Sequence, residues 1–125
     1  MNERLKAYLD FIQDRYDVRF NYYSDSLIIR TAKSEFKLNL TDGKRFKKYA
    51  IYHRLPISGA RFHKQEDARN LYWGLHRVCT HDFNTINHIR YKFSDYEKFL
   101  LEFERYYNEK TKRKRQHTTF KTNSC

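Results

Sequence analysis

The stretch DVRFNYYSDSLIIRTAKSEFKLNL, residues 17–40, decides the fold. Val18, Phe20 and Tyr22 alternate with polar residues, which is the period of a half-buried strand. Ser24, Asp25 and Ser26 supply turn chemistry. Leu27, Ile28 and Ile29 form a short apolar run suited to a central strand. Phe36, Leu38 and Leu40 then alternate with Glu35, Lys37 and Asn39. Thr41-Asp42-Gly43-Lys44 reads as the next turn, because Asp-Gly tolerates positive φ. Residues 46–54 read as a further strand, which Pro56 and Gly59 break. Ala60–His63 reads as a short last strand.

Helical periods flank this block. Leu5, Tyr8, Leu9, Ile12 and Tyr16 recur at three- and four-residue steps, predicting a helix over 2–16 capped by Asn2. Ala68, Leu71, Tyr72, Leu75, Val78 and Cys79 predict a second helix over 65–79. Gly74 lies inside it, where Gly costs about 1 kcal/mol against Ala and is explained by close packing on another element. Residues 80–93 carry no decisive period. Ser94-Asp95-Tyr96-Glu97 matches a capping box. Tyr96, Phe99, Leu100, Phe103, Tyr106 and Tyr107 continue it as a last helix whose packing ends near Asn108.

The expected fold is α+β: an N-terminal helix, a three- to four-stranded antiparallel sheet, then two helices on one sheet face. Residues 1–108 form the single domain. Residues 109–125, with Lys112-Arg113-Lys114-Arg115, read as a basic flexible tail.

The chain has 125 residues, a size that predicts one domain. Its 10 Phe and 11 Tyr can fill a core that few aliphatics would leave empty. The formal net charge is +11. Residues 28–78 carry 12 Lys+Arg against 4 Asp+Glu, and residues 107–125 carry 6 against 1. Residues 1–27 and 79–106 each carry 4 against 5. A positive field of this kind draws polyanions, although it also serves solubility alone. Cys79 and Cys125 form no disulfide framework, and no segment has the apolar length of a signal peptide or membrane span. The expectation is a reduced, cytoplasmic protein.

KRFKKYAIYHR, residues 44–54, interleaves cations with aromatics. Alternation puts Phe46, Lys48, Ala50, Tyr52 and Arg54 on one face, and Arg45, Lys47, Tyr49, Ile51 and His53 on the other. Such a strand offers cations to phosphates and Tyr52 for base stacking. It equally reads as an edge strand whose solvated lysines block aggregation. The next helix places Arg69, Trp73, His76 and Arg77 opposite its apolar face. Trp73 between arginines suits a binding anchor, or packs on the last helix. The candidate contact residues are Lys44, Arg45, Lys47, Lys48, Tyr52, Arg54, Arg61, Lys64, Arg69, Trp73, Arg77, Lys112, Arg113, Lys114 and Arg115.

No catalytic residue, metal site or cofactor is assigned. His76-x-x-Cys79-x-His81 lacks the paired ligands of a zinc site, and Cys79 falls on the apolar face. Asp25 with Glu35-Phe36-Lys37 resembles the Asp…Glu-x-Lys arrangement of metal-dependent nucleases. His53 with Arg54 and nearby tyrosines resembles small toxin ribonucleases.

Arg61-Phe62-His63-Lys64-Gln65-Glu66-Asp67-Ala68 resembles the strand-to-helix junction of AP2/integrase-type amino-terminal domains. The element order is also similar to that of double-stranded RNA-binding domains. Glu66 and Asp67 depart from the latter, since negative charge at a helix N-terminus competes with phosphate. Size and composition resemble small phage and mobile-element inhibitors of the anti-CRISPR type. These likenesses imply a non-enzymatic basic protein that binds nucleic acid or a nucleoprotein effector, in its most specific form an RNA-guided nuclease with its guide RNA. The alternatives are a general DNA- or RNA-binding module and a small nuclease. Oligomeric state is left open.

Overall fold

The computed structural model describes residues 2–40 and 49–123, with side chains as far as Arg113. The period-two stretch forms strands β1 (Arg19–Tyr22), β2 (Ser26–Arg30) and β3 (Glu35–Asn39), and β4 (Tyr49–Arg54) and β5 (His63–Ala68) follow. Each pairs antiparallel with its neighbour in sequence, giving a five-stranded meander in the order β1-β2-β3-β4-β5. Tyr23 N–H bonds the Ser26 carbonyl at 2.8 Å, closing the expected first turn. The turn at Thr41–Lys44 and the start of the basic strand at 46–48 lie outside the described residues.

Five strands and three following helices stand where three to four strands and two helices were expected, and the short strand expected at 60–63 begins only at His63. Residues 63–68 form a full fifth strand, whereas the second helix was expected to begin at residue 65. HKQEDA has only Ala68 as an apolar residue and high helix propensity, but β4 pairs with it through a bulge between Ile51 and Tyr52. Cross-strand pairing overrides local preference here. The helix that follows, α2 (Leu71–Cys79), starts where the Asn70 side chain accepts from the Tyr72 and Trp73 N–H groups.

Helix α1 (Glu3–Gln13) is capped as expected, the Asn2 side chain accepting from Leu5 N–H at 2.7 Å. Residues 80–93 contain a further helix, α3 (His81–Ile86). It ends with His88 at φ +54°, Ile89 N–H bonded to the Asn84 carbonyl at 2.8 Å and His88 N–H to that of Thr85 at 3.3 Å. This left-handed cap turns the chain back toward the body. Helix α4 (Phe93–Asn123) starts one residue before Ser94. Its first turn is closed by the Asp95 carboxylate accepting from Lys92 N–H, so Asp95 replaces the expected Ser94 cap. The helix also runs beyond Asn108 to Asn123, so the basic segment expected as a tail has helical backbone. No described helix is long and apolar enough to cross a membrane.

Among the described residues the buried apolar side chains cluster against one sheet face and between the helices that cover it. Tyr8, Phe11, Phe36 and Phe103 are the largest fully buried ones. The rings meet edge-on: Tyr8 lies 4.9 Å from Phe103 and 5.8 Å from Phe99, centroid to centroid. The Tyr8 hydroxyl donates to the Tyr72 carbonyl at 2.7 Å, which satisfies the polar end of a buried ring. Gly74 explains itself by position. A Cβ there would meet Ala68 Cβ at 2.9 Å, so α2 crosses the sheet closer than any side chain permits.

Candidate nucleic-acid interface

Because Phe36, Leu38 and Ile51 point into the core, their strand neighbours point the other way. Registration then builds two rows on the outer sheet face. Arg19, Arg30, Glu35 and Arg54 form one. Asn21, Ile28, Lys37, Tyr52 and Lys64 form the next. Among the described residues no helix packs on this face. It holds five cations, Arg19, Arg30, Lys37, Arg54 and Lys64, with Tyr52 at its centre.

The charge is only partly balanced. Buried Glu35 accepts from Arg54 at 2.8 Å and lies 3.8 Å from Arg30. One carboxylate thus fixes two guanidinium groups while neutralising one charge. Lys64 pairs with Asp67 at 3.1 Å, an exposed contact of small energetic weight. The Arg54 guanidinium also lies 4.2 Å above the Phe62 ring. At this end of the face the segment Pro56–Gly59 borders an open cleft of about 410 Å³ floored by Arg30, Ser34, Glu35 and Arg54. Gly59 adopts φ +83° in that border, a conformation that favours glycine.

The structure brings together Tyr52, Arg54 and Lys64 of the expected contact residues, with exposed Arg61 in the loop before β5. Arg69 is exposed between β5 and α2. Trp73 and Arg77 lie on the helical side instead. Half-buried Trp73 packs 6.0 Å from Tyr91, in the segment before α4, and the Arg77 guanidinium sits 5.4 Å from both rings. Arg77 also pairs with Glu66. Trp73 is therefore enclosed on the helical side by Tyr91 and Arg77. Lys112 and Arg113 are exposed on the distal part of α4. Lys44, Arg45, Lys47 and Lys48, and the side chains of Lys114 and Arg115, lie outside the described residues. Arg19, Arg30 and Lys37 were missed in the sequence, although each is the outward partner in the same alternation that located the strands.

His76 was expected on the exposed face of its helix and is buried. Its ring stacks on Phe99 at 4.4 Å, with Nδ1 2.7 Å from the Tyr91 hydroxyl and Nε2 3.4 Å from that of Tyr16. Burial drives its pKa down to about 4, so it is neutral near pH 7. Burial pushes the Cys79 thiol upward, away from thiolate chemistry.

The two nuclease-like constellations do not assemble. Asp25 lies beside Leu40, at the opposite end of β3 from Glu35, about 17 Å away at strand rise. His53 faces the helices, 4.8 Å from Phe36, while Arg54 faces outward. Burial and then His81 lower the His53 pKa. Among the described residues no group of three or more His, Cys, Asp or Glu is arranged to hold a metal ion. No family model, curated protein or solved structure matches this chain.

Proposed function

We propose that this protein binds nucleic acid, free or within a nucleoprotein complex, through the open sheet face and without catalysing a reaction. The observation that carries this reading is the pair of cross-strand rows, five cations around Tyr52 on a face no described helix covers. Strands of one sheet lie about 4.8 Å apart, so the cations form a grid that tracks a phosphate backbone while a tyrosine offers a stacking plane. A solvated face with no partner would mix its signs more evenly. The more specific form is occupation of an RNA-guided nuclease, with the face set against guide RNA or an acidic groove. The chain's small size and its uncovered cationic surface support it.

The test is fluorescence anisotropy with a labelled single-stranded oligonucleotide of roughly 20 nucleotides, across salt concentrations. The triple variant Arg19→Glu, Lys37→Glu, Lys64→Glu changes exposed or half-exposed groups that hold no core contact. It should bind at least ~10-fold more weakly and lower the salt slope by about 2. Equal affinity in a variant with native circular dichroism would remove this face from the reading. For the more specific form, the intact protein should block DNA cleavage by a guide-loaded nuclease in stoichiometric amounts; undiminished cleavage across a panel of such nucleases would sink it.

A further inference from the structure

The molecule has a second surface, on the helical side, that nucleic acid does not explain. Of the exposed large apolar side chains, four fall within residues 83–93: Phe83 (61% exposed), Ile86 (55%), Ile89 (46%) and Phe93 (61%). Isolated exposed apolar residues are ordinary, but a group of this kind beside a cleft marks an interaction site. The left-handed cap at His88 folds the chain back, and Phe83 and Ile89 both line a cleft of about 590 Å³, with Ile86 and Phe93 near it in sequence. Tyr16, His76, Tyr91 and Phe99 line it. The His76 ring among them offers no free polar atom, since a tyrosine hydroxyl sits at each ring nitrogen. The cleft therefore asks for apolar side chains and not for a polar small molecule.

Charge selects the occupant. The rim carries Arg15 and Lys98 together with Asp95 and Glu102. Arg15 and Glu102 already meet at 4.0 Å within the chain, which leaves Lys98 and Asp95, and a two-fold axis sets each copy's Lys98 against the other's Asp95. Apart from α2, the elements that build this side come from residues 1–27 and 79–106, each with net charge −1. Residues 28–78, which supply most of the sheet, carry 12 Lys+Arg against 4 Asp+Glu and would repel a second copy. We infer that two copies of this chain associate through the Phe83–Phe93 surface in a two-fold interface, with Phe83 and Ile89 at its centre. Both cationic sheet faces then point outward, away from the contact.

Sedimentation velocity on the full chain, freed of nucleic acid by nuclease treatment and high salt, tests this. A dimer should form on the order of 10 μM. Phe83→Glu and Ile89→Glu, both at exposed positions, should each leave a folded monomer. Lys98→Glu should weaken association, because it sets carboxylates against each other across the axis. A wild-type chain that stays monomeric to ~1 mM would overturn the inference. So would a dimer untouched by Phe83→Glu and Ile89→Glu. Oligonucleotide binding through the sheet face is read separately, so either result leaves the other reading standing or falling alone.

Discussion

Gly74 on α2 and Ala68 on β5 are in such close contact that a methyl group added to Gly74 would sit 2.9 Å from the Ala68 Cβ. Both are held by backbone hydrogen bonds, one in a helix and one in a strand, so neither side can rotate away. Gly74→Ala gains about 1 kcal/mol of helix propensity but forces the helix off the sheet. Overpacking of this type costs about 1–3 kcal/mol. The expected outcome is a net loss of up to about 2 kcal/mol in urea unfolding, with part of it recovered when Ala68→Gly is added. A single variant more stable than the parent would show that the helix moves freely.

The His76 ring predicts an acid limb of stability. Its folded pKa is about 4, below the ordinary 6.5, because burial disfavours the charged ring. Between these values the unfolded chain binds more protons than the folded one. Stability is therefore full above pH 6.5 and falls as the pH drops toward 4, by up to about 3 kcal/mol. Denaturant midpoints from pH 8 to 4 should show this fall. In His76→Gln the slope contributed by this ring should vanish, whatever the variant's absolute stability.

His88 occupies left-handed backbone at φ +54° without the freedom of glycine. Relieving that conformation should stabilise the α3 terminus. His88→Gly is expected to raise global stability by about 1 kcal/mol, read as a higher melting temperature. An Ala at the same site should lower it, since Ala pays the same steric cost and offers no polar side chain.

Asp82 ties α3 to the β2–β3 turn. Burial opposes its charge, but the Thr31 hydroxyl donates at 2.6 Å and the Lys33 N–H at 2.9 Å, so its pKa lies below the usual carboxylate range. Removing the carboxylate leaves the Lys33 N–H without its acceptor and the Thr31 hydroxyl with the Ser34 carbonyl alone, at 3.2 Å. Asp82→Ala should cost about 2–4 kcal/mol, given two hydrogen bonds to a charged group. Amide exchange at Lys33 should quicken more than exchange at Ile29 in β2.

The meander was legible because β1 and β3 alternate and β2 is a short apolar run between turn residues, and the cap at Asn2 marked its helix correctly. β5 was not legible, because an edge strand of mostly exposed polar residues carries no apolar period, and K-Q-E-D-A also favours helix. Only the pairing with β4 decides between the two. His76 was misplaced because it neighbours Arg77 on the helix. Its four-back and three-forward neighbours, Tyr72 and Cys79, point toward the core and could have corrected the assignment. The cations of the site were visible in composition. Which of them share a face required the register, since Arg19, Lys37 and Lys64 come from separate strands and meet only across the sheet.

Every strand of the sheet pairs with the next one along the chain, so its hairpins can form in the order of synthesis. Its cover cannot. Helix α1 packs against α4 through Tyr8, Phe99 and Phe103, and Arg4 reaches Glu104, 100 positions later. At about 5–20 residues per second, a ribosome takes roughly 5–20 s to supply that partner. Through that interval the rings of Tyr8 and Phe11 on α1 wait without Phe99 and Phe103, while α2 and α3 already lie over Leu38, Ile51 and Phe36. A chain cut before Phe93 thus leaves one side of α1, with the rings of Tyr8 and Phe11, exposed to water for good.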